Sequence, residues 1–266
     1  THAGTYYLVD GEGWINAADL STTDNRIEAV QKVLNEKYNN QERISVYVKQ
    51  LDTDRVAAIN DEKSMYAASV AKLGVLYYAQ ERLSQKKLSL SNEYQYTSTV
   101  NGFPGAYDPD GSGKISKMTD DKNYSLENLL KAVAQNSDNV ATNILGYYVA
   151  NQYDNSFQKS VDKASATSWN MDKKELTARA AGTLMEAIYR QNGDIINYLS
   201  STDYDGERIS KNIDVPVAHK IGDAYDFKHD VAIVYTDSPF ILSIFTDKEG
   251  YDKITSIADD VYGILK

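Results

Sequence analysis

Apolar residues recur along this chain with two different periods, and the switches between them mark out its elements. Ile27, Val30, Val33 and Leu34 share one face of a helix predicted over residues 26–37, with Ser21-Thr22-Thr23-Asp24 offering N-caps ahead of it. Alternation then takes over, and residues 44–51 and 56–60 read as strands joined by the polar turn Asp52-Thr53-Asp54. Helical spacing returns through residues 69–83, 126–135, 139–151, 154–163 and 176–191. Strand pattern follows at 215–220, 231–236 and 240–246, the last two connected through Asp237-Ser238-Pro239 as a hairpin. An amphipathic helix over 251–265 closes the chain through Ile254, Ile257, Val261 and Ile264. This order predicts a mixed α/β (α+β) fold: an antiparallel five-stranded sheet flanked by terminal helices, with an inserted all-helical lobe. Residues 21–64 and 211–266 would build the sheet lobe and residues 65–210 the helical one. Residues 1–20 stand apart, reading as two short strands around an Asp10-Gly11-Glu12-Gly13 turn.

Composition narrows the class without naming a function. At 266 residues, 42% hydrophobic and 25% charged, the chain can bury one large core or two smaller ones. A net charge of −10 argues against nucleic acid or an anionic membrane as partner and reads as a solubility feature. With no cysteine it has neither disulfides nor thiolate chemistry, a composition compatible with export. No run approaches the about 18 apolar residues of a membrane span. The chain begins at Thr1 with neither Met nor a signal-like stretch, the expectation for a mature product or an expressed fragment. Its 21 tyrosines read as packing and surface aromatics.

Three short motifs, in order, carry the chemistry: Ser69-Val70-Ala71-Lys72, Ser137-Asp138-Asn139 and Lys220-Ile221-Gly222. The first places a hydroxyl and an amine one helical turn apart, where the amine can take the hydroxyl's proton. The second adds another hydroxyl and an amide, and the third a second cation on a strand. Ser-x-x-Lys also occurs at Ser84/Lys87 and Ser160/Lys163, so the ordered set, not one motif, supports a serine acyl-transfer site. Each motif has a plainer alternative: Ser69 as an N-cap with a solvated Lys72, Ser137-Asp138-Asn139 as a helix cap, Lys220 as a strand-edge lysine. Asp108-Pro109-Asp110-Gly111-Ser112-Gly113 copies the opening of a calcium loop, but its twelfth position is Thr119, so a surface turn over the cleft is favoured. His2, His219 and His229 have no zinc-ligand spacing, and no metal or cofactor is expected.

The ordered set resembles the penicillin-recognising serine enzymes, most closely class A β-lactamases, whose signature is S-x-x-K, S-D-N and K-T-G. The similarity runs from about residue 25 to the C-terminus. It implies an active site between the two lobes, with Ser69 as nucleophile and Lys72 as its base. It further implies that Ser137 relays a proton to the leaving amine, Lys220 supplies positive charge, and Asn139 holds the substrate amide. Gly222 would make room for the substrate, and the backbone N–H groups of Ser69 and Asp223 would form the oxyanion hole; Asp138 is read as structural. The partner implied is a small β-lactam or a peptidoglycan stem peptide, met by a monomer outside the cell or at the wall. Gly13-Trp14-Ile15 resembles the last strands of a bacterial SH3-like wall-binding module; a hairpin packed on the catalytic domain is the other reading. Two departures matter. Ile221 stands where the family has Thr or Ser, removing a hydroxyl contact to a substrate carboxylate, with Asp223 expected to repel that carboxylate. Residues 165–179 hold no Glu-x-x-Leu-Asn stretch, and Glu175, their nearest carboxylate, lies at a predicted helix start. A poor β-lactam hydrolase is expected, or a non-catalytic penicillin- or wall-binding protein that keeps the fold.

Overall fold

The computed structural model describes residues 5–9, 13–17 and 24–266. Strands β1 (Tyr6–Val9) and β2 (Gly13–Asn16) lead, paired antiparallel with Tyr6 opposite Asn16. Residues 10–12 of the expected turn and the candidate caps at 21–23 lie outside the described residues. Helix α1 (Arg26–Tyr38) follows, its first N–H taken by the Asp24 carboxylate. Next come β3 (Ile44–Gln50), β4 (Val56–Ile59) and β5 (Met65–Tyr66), then a 3₁₀ turn (Ala68–Lys72) running into α2 (Leu73–Ser84). The middle of the chain holds β6 (Glu93–Gln95), β7 (Asn123–Ser125), α3 (Leu126–Asn136), α4 (Asn139–Tyr148) and α5 (Asn155–Ser165). After β8 (Glu175–Leu176) come α6 (Ala178–Gln191), α7 (Asp194–Tyr198) and a second 3₁₀ turn (Arg208–Asn212). Strands β9 (Val217–Ala224), β10 (Phe227–Val234) and β11 (Phe240–Asp247) precede α8 (Tyr251–Leu265).

Five strands form one antiparallel sheet, as the pattern predicted, and their order is β4-β3-β11-β10-β9. Both of its faces are covered, which is why its strands read as nearly continuous apolar runs. Val46, Val48, Leu242, Ile244, Ala232 and Val234 point to one core, shared with Ile27, Val30 and Leu34 of α1 and Ile254, Ile257 and Val261 of α8. Tyr47, Ile241, Phe245, Val231 and Ile233 point to the other core, where Leu184 and Ile188 of α6 and the rest of the helical layer close over them. Period-2 alternation therefore assigns each strand residue to one of two cores, not to core or solvent. Among the described residues no helix is long and apolar enough to cross a membrane.

The structure differs from the pattern at the site-bearing elements. Strand β9 runs four residues past the expected end at 220, carrying Lys220, Ile221, Gly222 and Asp223 together, because its pairing with β10 continues to Ala224 opposite Phe227. The first motif opens as a 3₁₀ turn, not as α-helix. Helices α3 and α4 are separated by Ser137 in the left-handed conformation (φ 54°, ψ 38°).

Candidate active site

Ser69 lies in the 3₁₀ turn, where side chains three apart eclipse, so Ser69 and Lys72 share a face. Three contacts pin this turn from below. Ala67 N–H donates to Lys174 O (2.7 Å), Tyr107 Oη donates to Ala68 O (3.2 Å), and the buried Trp169 Nε1 donates to Ala71 O (3.1 Å). Ala68 is left-handed (φ 49°), a strained conformation immediately before the candidate nucleophile. Lys174 and Trp169 both belong to the stretch between α5 and α6, which thus serves as the floor under Ser69.

The second motif gathers the polar groups. Ser137 caps the C-terminus of α3 and is fully buried. Lys72 Nζ donates to Ser137 O (2.6 Å) and to Asn139 Oδ1 (2.6 Å), with Ser137 Oγ at 3.4 Å. Lys220 Nζ reaches across from β9 and donates to Ser137 Oγ (2.7 Å) and Ile221 O (3.1 Å). Asp138 is the N-cap of α4; its carboxylate accepts the N–H groups of Ala141, Lys114 and Ile115, the structural role expected of it. Asn139 also faces inward, its Nδ2 donating to Asp108 O (2.8 Å). Among the described residues no hydrogen bond reaches Ser69 Oγ. Lys72 is buried without a carboxylate partner among the described residues, and burial, joined by the charges of Lys220, Lys117 and Lys174, holds its pKa well below the usual lysine range against the pull of Asp138. Burial likewise pushes Lys220 down to about 7, Asp230 opposing and Arg208 adding to the shift.

The loop over the cleft, residues 108–117, is wired to this motif. Gly111 and Gly113 allow the close approach: a Cβ at Gly111 would meet Asn139 Nδ2 at 2.3 Å, and one at Gly113 would meet Asp138 Oδ2 at 2.2 Å. Lys117 Nζ donates to Gly111 O (2.6 Å), an ammonium seated on the loop carbonyls. Among the described residues, no group of three or more His, Asp or Glu side chains is placed to hold a metal ion.

The third motif departs from expectation in two ways. A Cβ on Gly222 would lie 2.6 Å from Ala67 O and 3.0 Å from Val70 Cγ2, so this glycine makes room for the 3₁₀ turn. Asp223 is not a free negative charge. Its carboxylate accepts from Arg208 Nη2 (2.8 Å), Lys228 Nζ (2.7 Å) and Tyr251 Oη, and these partners hold its pKa down although burial raises it. Arg208, which no motif announced, is almost wholly buried, stacks 3.8 Å from the Tyr251 ring centroid and also pairs with Glu207. It opens a 3₁₀ turn of five residues, too short to show a period, so only the fold brings it here.

Ser69 faces two adjoining cavities that share Ser69, Ser112 and Asp223. One, of about 600 Å³, is lined on its far side by Tyr204, Arg208, Ile221 and Tyr251. The other, of about 210 Å³, is walled by Tyr66, Tyr107, Asn139 and Tyr225. Glu175 lines a different cavity with Lys63, Met65, Tyr66 and Phe227, away from Ser69. His219, beside Lys220, is packed behind the site with Nδ1 at 3.0 Å from Asp230 Oδ1 and Nε2 at 3.2 Å from Asp205 Oδ1.

Comparison with known proteins gives the family and the fold. A model of the Beta-lactamase enzyme family matches residues 25–265. No curated protein matches. Among solved structures, PBP-A is 16% identical with a TM-score of 0.72, covering 91% of this chain and 96% of its own. A point mutant of PBP-A, described as an acyl-enzyme complex with penicillin G, is 15% identical over the same shares with a TM-score of 0.73. A β-lactamase from Francisella tularensis is 17% identical with a TM-score of 0.69, over 90% of this chain and 98% of its own. At these identities the likeness is one of fold.

Proposed function

Because the chain belongs to the Beta-lactamase enzyme family, we propose that it is a serine acyl-transfer enzyme. It works through a Ser69 acyl-enzyme, with a β-lactam or a peptidoglycan-like amide as acyl donor. The observation that carries the proposal is the convergence of two buried amines, Lys72 and Lys220, on Ser137 beside the cleft that exposes Ser69. As a neutral amine, Lys72 has two N–H donors, and Ser137 O and Asn139 Oδ1 take both. Its lone pair is then free for the Ser69 proton as Oγ attacks the donor carbonyl. The backbone N–H groups of Ser69 and Asp223 receive the oxyanion. Collapse breaks the C–N bond: Ser137, held by Lys220, gives its proton to the departing nitrogen and takes in return the one Lys72 accepted, across the 3.4 Å between Lys72 Nζ and Ser137 Oγ. Arg208 supplies the cation for a substrate carboxylate that Ile221 cannot bond.

The second half-reaction lacks its base. The stretch between α5 and α6 meets the Ser69 turn through Trp169 Nε1 on Ala71 O and Lys174 O on Ala67 N–H, and Glu175 opens into another cavity. A positioned general base is worth about 10²- to 10⁴-fold, so the acyl-enzyme persists. The protein, on this reading, acts outside the cell or at the wall as a monomer and needs no cofactor. A fluorescent penicillin tests the proposal: the native chain becomes covalently labelled and the Ser69→Ala variant does not. Equal labelling of both would defeat it. One observation favours a second reading, a non-catalytic binder that keeps the fold: Asn139 Nδ2 bonds Asp108 O, and the hydrogen bonds of Lys72 go to Ser137 and Asn139 and none to Ser69. Reversible penicillin binding with no label on either protein would establish that reading instead.

A further inference from the structure

Lys174 is a buried lysine without a carboxylate partner among the described residues. It is 6% exposed, and its Nζ donates to Gly105 O (3.0 Å) and lies 4.5 Å from the Tyr107 ring centroid. Lys72 Nζ lies 4.5 Å from the same centroid, so the two amines are no further apart than twice that distance. Burying an ammonium against only a carbonyl and a ring is costly, and an apolar side chain of similar length would fill the space at less expense. A stabilising role in the floor under Ser69 therefore does not account for it.

We propose that Lys174 is a positioning residue that adds to burial and Lys220 in favouring the unprotonated, proton-accepting form of Lys72, acting across Tyr107. The proposal rests on the reading of Ser69 and Lys72 as the acyl-transfer pair. The charged groups facing Lys72 are Lys220 from β9, Lys117 from the loop over the cleft, Asp138 from the start of α4, and Lys174. The one anion among them is engaged by three backbone N–H groups. Facing Lys174 are Tyr107, the Gly105 carbonyl and, two residues earlier, Asp172. At such a separation and an effective dielectric of about 20, one positive charge displaces its neighbour's titration by about one pH unit. The chain thus carries, in the segment where its relatives' pattern calls for a carboxylate, a group of opposite charge that favours acylation and does nothing for hydrolysis.

The test is the pH profile of covalent labelling by penicillin G, read together with the pH titration of the Lys72 side-chain amine by NMR. Lys174→Met should move the acid limb of the profile and the Lys72 titration upward by about one pH unit, leaving the high-pH plateau in place. Lys174→Arg should restore both. Should Lys174→Met not fold, Lys174→Gln, which keeps a donor for Gly105 O, is read in the same way. A profile and a Lys72 titration that superimpose on those of the native chain, with only a uniform loss of rate, would overturn the proposal. If the native chain takes no label at any pH, the acyl-transfer reading fails, while the Lys72 resonance still decides what Lys174 does.

Discussion

At the scale of single residues, the proposed mechanism divides one task between Ile221 and Arg208. Ile221 brings a methyl-bearing side chain to the cleft where a hydroxyl would bond a substrate carboxylate, a contact worth about 1.5–3 kcal/mol. Arg208, held in place by Asp223 and the Tyr251 ring, would be the compensating cation. Arg208→Gln should therefore slow labelling by penicillin, which carries a carboxylate, by about tenfold or more, while sparing a neutral activated ester. Comparing the two donors on one variant checks this, and an equal loss for both would assign Arg208 to structure alone. The residues found by sequence reasoning were those whose type and spacing carry chemistry, from Ser69 to Lys220. Arg208 and Lys174 were invisible because their importance comes from burial beside partners remote in the chain. Gly222 was noticed for the wrong neighbour: its missing side chain accommodates Ala67 and Val70.

At the scale of elements, the site depends on how β9 is tied to its surroundings. His219 on β9 joins Asp230 on β10 to Asp205 in the loop that leads to Arg208. Burial alone would lower the pKa of His219, but Asp230 and Asp205 outweigh it and hold it up to about 9, above its ordinary 6.5. A folded-state value above the unfolded one stabilises fully below pH 6.5 and is lost as pH rises through about 9. Replacing His219 with Gln should remove that fall, so the stability difference between native chain and variant narrows from pH 6.5 to 9. Chemical denaturation across this range measures it, and a constant difference would mean that His219 is neutral in the fold. The long elements were readable from periodicity, down to α8 at 251–265. The ends of β9 were not, because Gly222 and Asp223 break the apolar alternation while still pairing with β10. Helix α7 spans five residues, too few to display a period.

At the scale of the whole molecule, a sheet buried on both faces brings three distant motifs to one cleft. Lys220 comes from the sheet, Ser69 and Lys72 from the 3₁₀ turn that runs into α2, and Ser137 and Asn139 from the break between α3 and α4. The five-stranded antiparallel architecture was legible in the order of helical and strand patterns, and the family in the order of its motifs. How the motifs meet was not, since that depends on long-range packing of the helical layer against β9 and β10. On the proposed reading the acylation apparatus is assembled and, among the described residues, no group stands ready to discharge the acyl-enzyme. Intact-protein mass spectrometry over time with penicillin G tests it most directly, with Ser69→Ala alongside. The account predicts a single adduct of the drug's mass on the native chain that persists after free drug is removed, and none on the variant. An adduct that clears promptly with hydrolysed drug accumulating, or an adduct that forms equally on Ser69→Ala, would contradict it.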